Sequence, residues 1–175
     1  MLTHNNNKII NKILTLVIPM VVLTIIDRLS KYLAQTNLKD KQPLVLIKDV
    51  FELYYLENTG AAFGILAGKQ FFFYIITIAI IAIVVVLYFK IPVQKHFFFL
   101  RFICILIISG ALGNLYDRIV QHYVVDFLYF SAINFPIFNI ADIYVTIGAI
   151  AFIISIMFIY KDDDIKKIIH NQVQQ

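Results

Sequence analysis

Four carboxylates stand out in this chain because of where they lie. Asp27, Asp117, Asp126 and Asp142 each flank or interrupt a long apolar run. Phe102 to Ala111 has no charged residue, and Asn114, Asp117, Arg118, His122 and Asp126 follow it at once. Asp117 is next to Arg118, and a helix lays it against Asn114 three residues back. With Arg118 or Lys31 as its partner it reads as an ion-pair member that positions a site. Asp126 and Asp142 have no adjacent base. Two close carboxylates cannot both ionise, so such a pair holds one proton. The ionised member takes a proton from water, and the neutral one polarises a carbonyl and protonates the leaving amine. That is aspartic peptidase chemistry.

Asp142 also has a structural reading. Pro136 precedes a helix start at which Asn139 is the expected N-cap and Asp142 the third helical residue, a place where a carboxylate suits the positive end of the dipole. Its company with three further aspartates at one membrane level argues for function, because carboxylates beside a membrane bundle are costly. Other constellations are weaker. His4, His96, His122 and His170 are scattered and show no metal-ligand spacing, so no metal and no cofactor are expected. There is no GxSxG, P-loop or dinucleotide fingerprint. Cys104, the one cysteine, reads as a small buried apolar residue.

The elements that carry these residues are membrane spans. The chain of 175 residues is 61% hydrophobic and only 15% charged, against about 25% charged in ordinary soluble domains. Gln70 to Phe89 is 20 residues without a charge, and Ile143 to Tyr160 gives 18 more; either crosses about 30 Å of hydrocarbon as a helix. Phe97 to Leu115 holds only Arg101, near enough to one end to snorkel. Ile13 to Ile26 has 14 uncharged residues before "DRLSKYLA". A cleaved signal peptide is the alternative for that first segment; it lacks a small-x-small pattern, so a retained helix is expected. The expected fold is an all-α integral membrane protein, one domain over 1–175, with spans near 12–34, 70–89, 97–117 and 140–160.

Lys8, Lys12, Lys90, Lys95, Arg101, Lys161, Lys166 and Lys167 fall on one side of this arrangement, and Lys39, Lys41, Lys48 and Lys69 on the other. The positive-inside bias then places both termini in the cytoplasm. The exterior segments are 35–69 and 119–138. "LVLIKDVFELYYLENT" reads as short strands in a small β-rich segment on the outer surface. Gly60, Gly64 and Gly68 recur every four residues, a helix-packing pattern, and Asn58 adds an amide beside them. No basic and aromatic surface suggests nucleic acid.

Taken together, "DRLSK" (27–31), "NTGAAFG" (58–64), "GALGNLYDR" (110–118), "VVDF" (124–127) and "FNIADIYVTIG" (138–148) resemble the motif set of the bacterial lipoprotein signal peptidases, or signal peptidase II, over about residues 12 to 160. The resemblance implies a four-helix aspartic endopeptidase of the inner membrane, with a periplasmic β-rich segment. Its implied reaction removes signal peptides from prolipoproteins just before the diacylglyceryl-modified cysteine. It implies Asp126 and Asp142 as the catalytic pair, with Asn58, Gly60, Asn114, Asp117, Arg118 and Asn139 supporting them and Asp27 and Lys31 as a polar pair on the first helix. Lipidated prolipoproteins, membrane lipids and globomycin-type cyclic peptide inhibitors are the implied partners, and a monomer is expected. The family usually carries glycine where this chain has His122; if that position needs positive φ, histidine is strained there. The alternative function is a small proton-coupled transporter or channel subunit with the aspartates as a relay.

Overall fold

A computed structural model of the chain describes residues 2–60 and 69–169; Gly64 and Gly68 of the expected packing pattern lie outside the described residues. Helix α1 (Leu2–Leu38), a hairpin of β1 (Leu44–Ile47) and β2 (Phe51–Asn58), helices α2 (Gln70–Lys90) and α3 (Phe98–Gln121), strand β3 (Val124–Tyr129), α4 (Ile140–Ile154) and a short α5 (Asp162–Ile169) follow one another. Four helices are long and apolar enough to cross a membrane: Ile9–Leu38, Gln70–Lys90, Lys95–Gln121 and Ile140–Ile159. A helix satisfies its own backbone groups, which is the condition for crossing hydrocarbon.

The helix α3 is the most buried of the four. It packs on α1, α2 and α4, while the other helices present rows of isoleucine, valine and phenylalanine outward. Small residues let backbones meet: a Cβ on Gly110 would run into the carbonyl oxygen of Ala141 at the start of α4. At the end of the bundle away from the strands, Tyr88, Phe97, Leu100, Cys104, Ile108 and Tyr160 form a closed apolar core.

At the other end the three strands form one antiparallel sheet in the order β1-β2-β3. Two helix ends and one strand differ from the sequence expectation. The helix α1 continues to Leu38, past 34, because Ala34 and Leu38 are buried under the sheet against Val125 and Phe127. The helix α3 continues to Gln121, past the 117 expected for its span. Within that segment, Val124–Tyr129 is a strand that the sequence reading passed over. It is buried on both faces: Val125 and Phe127 point to α1, and Val124 and Asp126 line a cavity. Nor was α5 anticipated. Its acids sit in the first turn and its lysines in the last, as the helix dipole favours, and Ile168 reaches the core.

Candidate active site

The N-terminus of α4 is where the site is organised. Asn139 is the N-cap: its Oδ1 accepts the Asp142 backbone N–H at 3.0 Å, and the Asp142 Oδ2 accepts the Asn139 N–H at 3.1 Å, a reciprocal capping box. A further free N–H of the first turn, that of Ala141, donates to Asp27 Oδ1 of α1 at 2.9 Å. The expected capping role of Asp142 therefore holds, and it leaves Asp142 Oδ1 directed to the cavity side, where it accepts from Asn114 Nδ2 of α3 at 2.8 Å.

Asp126 comes from β3. In the sheet register Leu56 faces Asp126 and Asn58 faces Val124, so Asn58 and Asp126 are diagonal neighbours on one face. Asn58 Nδ2 donates to Asp126 Oδ2 at 2.7 Å, and Asn139 Nδ2 donates to Asp126 Oδ1 at 2.6 Å. Asp126 is only 2% exposed. Burial, and after it the nearby charge of Asp142, lift the Asp126 carboxyl to about 7.

The direction of every amide is fixed by a group that can only donate. The Gly60 N–H donates to Asn58 Oδ1, the Asp142 N–H to Asn139 Oδ1, and the Lys31 ammonium to Asn114 Oδ1. Each asparagine therefore turns its NH2 toward an aspartate. Asn139 uses both hydrogens, on Asp126 and on Asn114 Oδ1. The amides brace the carboxylates, and Asn139 has no donor left for an extended substrate backbone.

Behind the pair lies a buried ionic cluster. Lys31 Nζ is 2.8 Å from Asp27 Oδ2, 2.9 Å from Asp117 Oδ2 and 2.9 Å from Asn114 Oδ1. Asp117 is completed by Arg28, which also stacks over the Tyr116 ring. A Cβ on Gly113 would collide with the Asp27 carboxylate, so glycine lets α1 approach α3 here. Of the two partners expected for Asp117, Lys31 is taken and Arg118 is not. Residues adjacent on a helix point about 100° apart, and Arg118 turns instead to Gly60, donating from Nη2 to its carbonyl oxygen at 3.1 Å, over the Phe73 ring. Arg28 is the residue whose role the sequence reading missed; the signal was its place in "DRLSK", three residues from Lys31 on the same helix face.

Asn58, Asn114, Arg118, Asp126 and Asp142 line one cavity of about 420 Å³, walled by Phe135 to Phe138 and by Ile143, Thr146 and Ile147 of α4. Gly60 and Asn139 touch its polar residues, whereas Asp27, Lys31 and Asp117 stand one layer behind. His122 is exposed and has no part in the cavity. It closes α3 with φ 64°, in the left-handed region, so the strain expected for a histidine at this position is present.

Known proteins resemble this chain in sequence and in fold. The family model described as Signal peptidase (SPase) II matches residues 19–158. The lipoprotein signal peptidase of Clostridium tetani is 44% identical over 150 residues, covering 84% of this chain and 93% of that protein. That of Clostridioides difficile is 43% identical over 138 residues, covering 79% and 91%. A bacterial membrane enzyme solved by the in meso method at 2.3 Å resolution superposes with a TM-score of 0.73 at 36% identity, over 92% of this chain and 93% of that one. A second such structure, at 1.9 Å, gives 0.71 at 36% identity, over 82% and 93%. With the match spanning most of its length and the same membrane architecture, this chain belongs to the signal peptidase II family.

Proposed function

We propose that this chain carries out its family's reaction, removal of the signal peptide from lipoprotein precursors, with Asp126 and Asp142 as the catalytic aspartates of a membrane peptidase. The observation that carries the assignment is that both carboxylates line one cavity while every neighbouring amide donates to them. The raised Asp126 supports a pair that holds one proton near neutral pH. Water held between the two loses a proton to the ionised carboxylate and attacks the scissile carbonyl. The protonated carboxyl polarises that carbonyl and then protonates the leaving amine. Arg118 places a positive charge at the cavity wall, where it stabilises the developing oxyanion.

Substrate enters sideways. Ile147 is exposed on the outer face of α4 and also lines the cavity, so the cavity opens toward lipid. A precursor anchored by acyl chains and an apolar signal helix presents its cleavage point there, just before a diacylglyceryl-modified cysteine. The site sits at the sheet end, at the outer surface of the cell membrane, with both termini cytoplasmic, as the basic residues at the opposite end favour. Each residue of the site comes from one chain, which suits a monomer, and a globomycin-type cyclic peptide fits between the aspartates as an inhibitor. The test is cleavage of a lipidated precursor by purified Asp126→Asn and Asp142→Asn proteins in detergent. Loss of cleavage in both, with precursor still bound, is expected; near wild-type turnover in either one overturns the assignment.

A further inference from the structure

The catalytic cluster uses the ionic groups at the sheet end of the bundle. One half-buried cation at the other end has no such use. Arg101 lies one turn inside α3, and its Nε and Nη1 are buried without a hydrogen-bond partner among the described residues. Positions 1–8, 61–68 and 170–175 contain no Asp or Glu. Of the acids at this end, Asp164 accepts from His96 and Lys167, Asp163 pairs with Lys166, and Asp162 is exposed at the start of α5. An unpaired guanidinium facing apolar surroundings is costly, because its donors lose water and gain nothing.

Arg101 faces a groove between α1 and α3. The groove holds about 460 Å³, and Leu14, Ile18, Pro19, Phe102 and Ile105 make it apolar over nearly its whole length. Lys12 stands beside it, close enough to interact electrostatically with Arg101, and donates to the Phe89 carbonyl oxygen at 2.7 Å. Lys12 lies about one turn, roughly 5 Å, inside the start of its span, and Arg101 lies six residues, roughly 9 Å, inside the start of its own, a depth from which a long arginine side chain reaches the headgroup region. Two cations at the depth of a headgroup, above an apolar furrow open to the bilayer, form one half of a complementary pair. The missing half is an anion with a hydrocarbon tail.

We propose that this groove binds an anionic glycerophospholipid, with its phosphate on the Arg101 guanidinium beside Lys12 and one acyl chain along Leu14, Ile18 and Phe102. Arginine presents a planar fork of donors that matches phosphate oxygens. The bound lipid supplies the acceptors that the protein lacks and seals the seam between α1 and α3. The site lies at the opposite end of the spans from Asp126 and Asp142, so it is distinct from the substrate cavity, and it stands or falls independently of the catalytic assignment.

Native mass spectrometry of the purified chain, exchanged into detergent with a defined probe, tests the proposal. The probes are phosphatidylglycerol, phosphatidylcholine with the same acyl chains, and inorganic phosphate. The wild type is expected to retain one phosphatidylglycerol, to retain phosphatidylcholine weakly, and to lose no lipid to inorganic phosphate. Arg101→Gln is expected to retain about tenfold less phosphatidylglycerol, the loss of a charge-assisted hydrogen-bond pair. Ile18→Trp, which fills the groove and leaves both cations in place, is expected to lower retention as well, and it keeps the test open if Arg101→Gln folds poorly. Equal retention by wild type and Arg101→Gln overturns the site. So does equal retention of the two lipids. Displacement by inorganic phosphate, with Ile18→Trp unaffected, replaces the lipid with a free anion and overturns it too.

Discussion

Asn139 Nδ2 lies 2.6 Å from Asp126 Oδ1, while the Oδ1 of the same side chain holds the N–H of Asp142. One amide thus joins a strand carboxylate to a helix carboxylate and starts the helix on which the second one stands. Asn139→Ala removes an N-cap, which costs about 1 kcal/mol of stability, and it also releases Asp126. The expected result is a modest drop in thermal stability with a much larger drop in cleavage, about tenfold or more for one charge-assisted bond. A variant that loses stability but cleaves normally would show that Asn139 serves the helix alone.

On the proposed mechanism the two aspartates act as a unit. General acid–base groups contribute about 10²–10⁴ in rate. Asp126→Asn and Asp142→Asn are each expected to lose at least that much, and the double variant is expected to be hardly slower than either single one. Asparagine is an imperfect substitute at 126, because Asn58 and Asn139 both donate to that position and its own NH2 must face one of them. Thermal melts therefore accompany the rates. Multiplicative losses in the double variant would mean that the residues act independently.

The pH dependence follows from Asp126, which is raised from an ordinary 3.8 to about 7 by burial and the Asp142 charge. With the singly protonated pair as the proposed working form, the alkaline limb of kcat/KM is expected near pH 7 in the wild type. Stability has a matching sign. Between the two values the folded protein holds a proton that the unfolded chain has released, so this group's contribution to stability falls as pH rises through that window. Asp126→Asn removes that slope from a plot of Tm against pH, whatever its fixed cost. A wild-type rate that stays level to pH 9 contradicts this account.

For Asp117 the expected role is positioning. It is fully buried between Arg28 and Lys31, and removing one partner of a buried ion set costs about 3–5 kcal/mol. Asp117→Asn is expected to lower the yield and melting temperature of the folded protein together with its activity. An inactive variant that melts like the wild type would place Asp117 in the chemistry itself.

His122→Gly should do the opposite. The left-handed conformation at the end of α3 suits glycine, and the exposed imidazole makes no contact with the cavity. A gain of about 1 kcal/mol, with cleavage unchanged, is expected from melts and rates measured in parallel. Lost activity would give His122 a part in the reaction.

Topology is tested by labelling. A cysteine introduced at Asp40, in the turn after α1, is expected to react with an impermeant reagent from outside intact cells, and one at Gln94, before α3, is not. The reverse pattern inverts the placement of the site.

The spans were legible in the sequence because a bilayer imposes a simple rule, a long uncharged run, and Gln70 to Phe89 obeys it without exception. The cap at Asn139 and the acid at Asp142 were legible because a helix start is a local event. Even the strain at His122 could be anticipated from a missing glycine. What the sequence could not decide is which partner each polar group takes. Asp117 stands next to Arg118 in the chain, yet it pairs with Arg28 and Lys31 of another helix. Asp126 lies in a strand whose partner strand, β2, is separated from it by two helices, and its amide neighbours come from β2 and from the N-cap of α4. Adjacent residues on a helix diverge, strands pair with segments far away in sequence, and a buried charge takes whichever counter-charge the packing brings to it. Those choices belong to the tertiary structure, and they turned four scattered aspartates into a braced pair with a buried ionic cluster behind it.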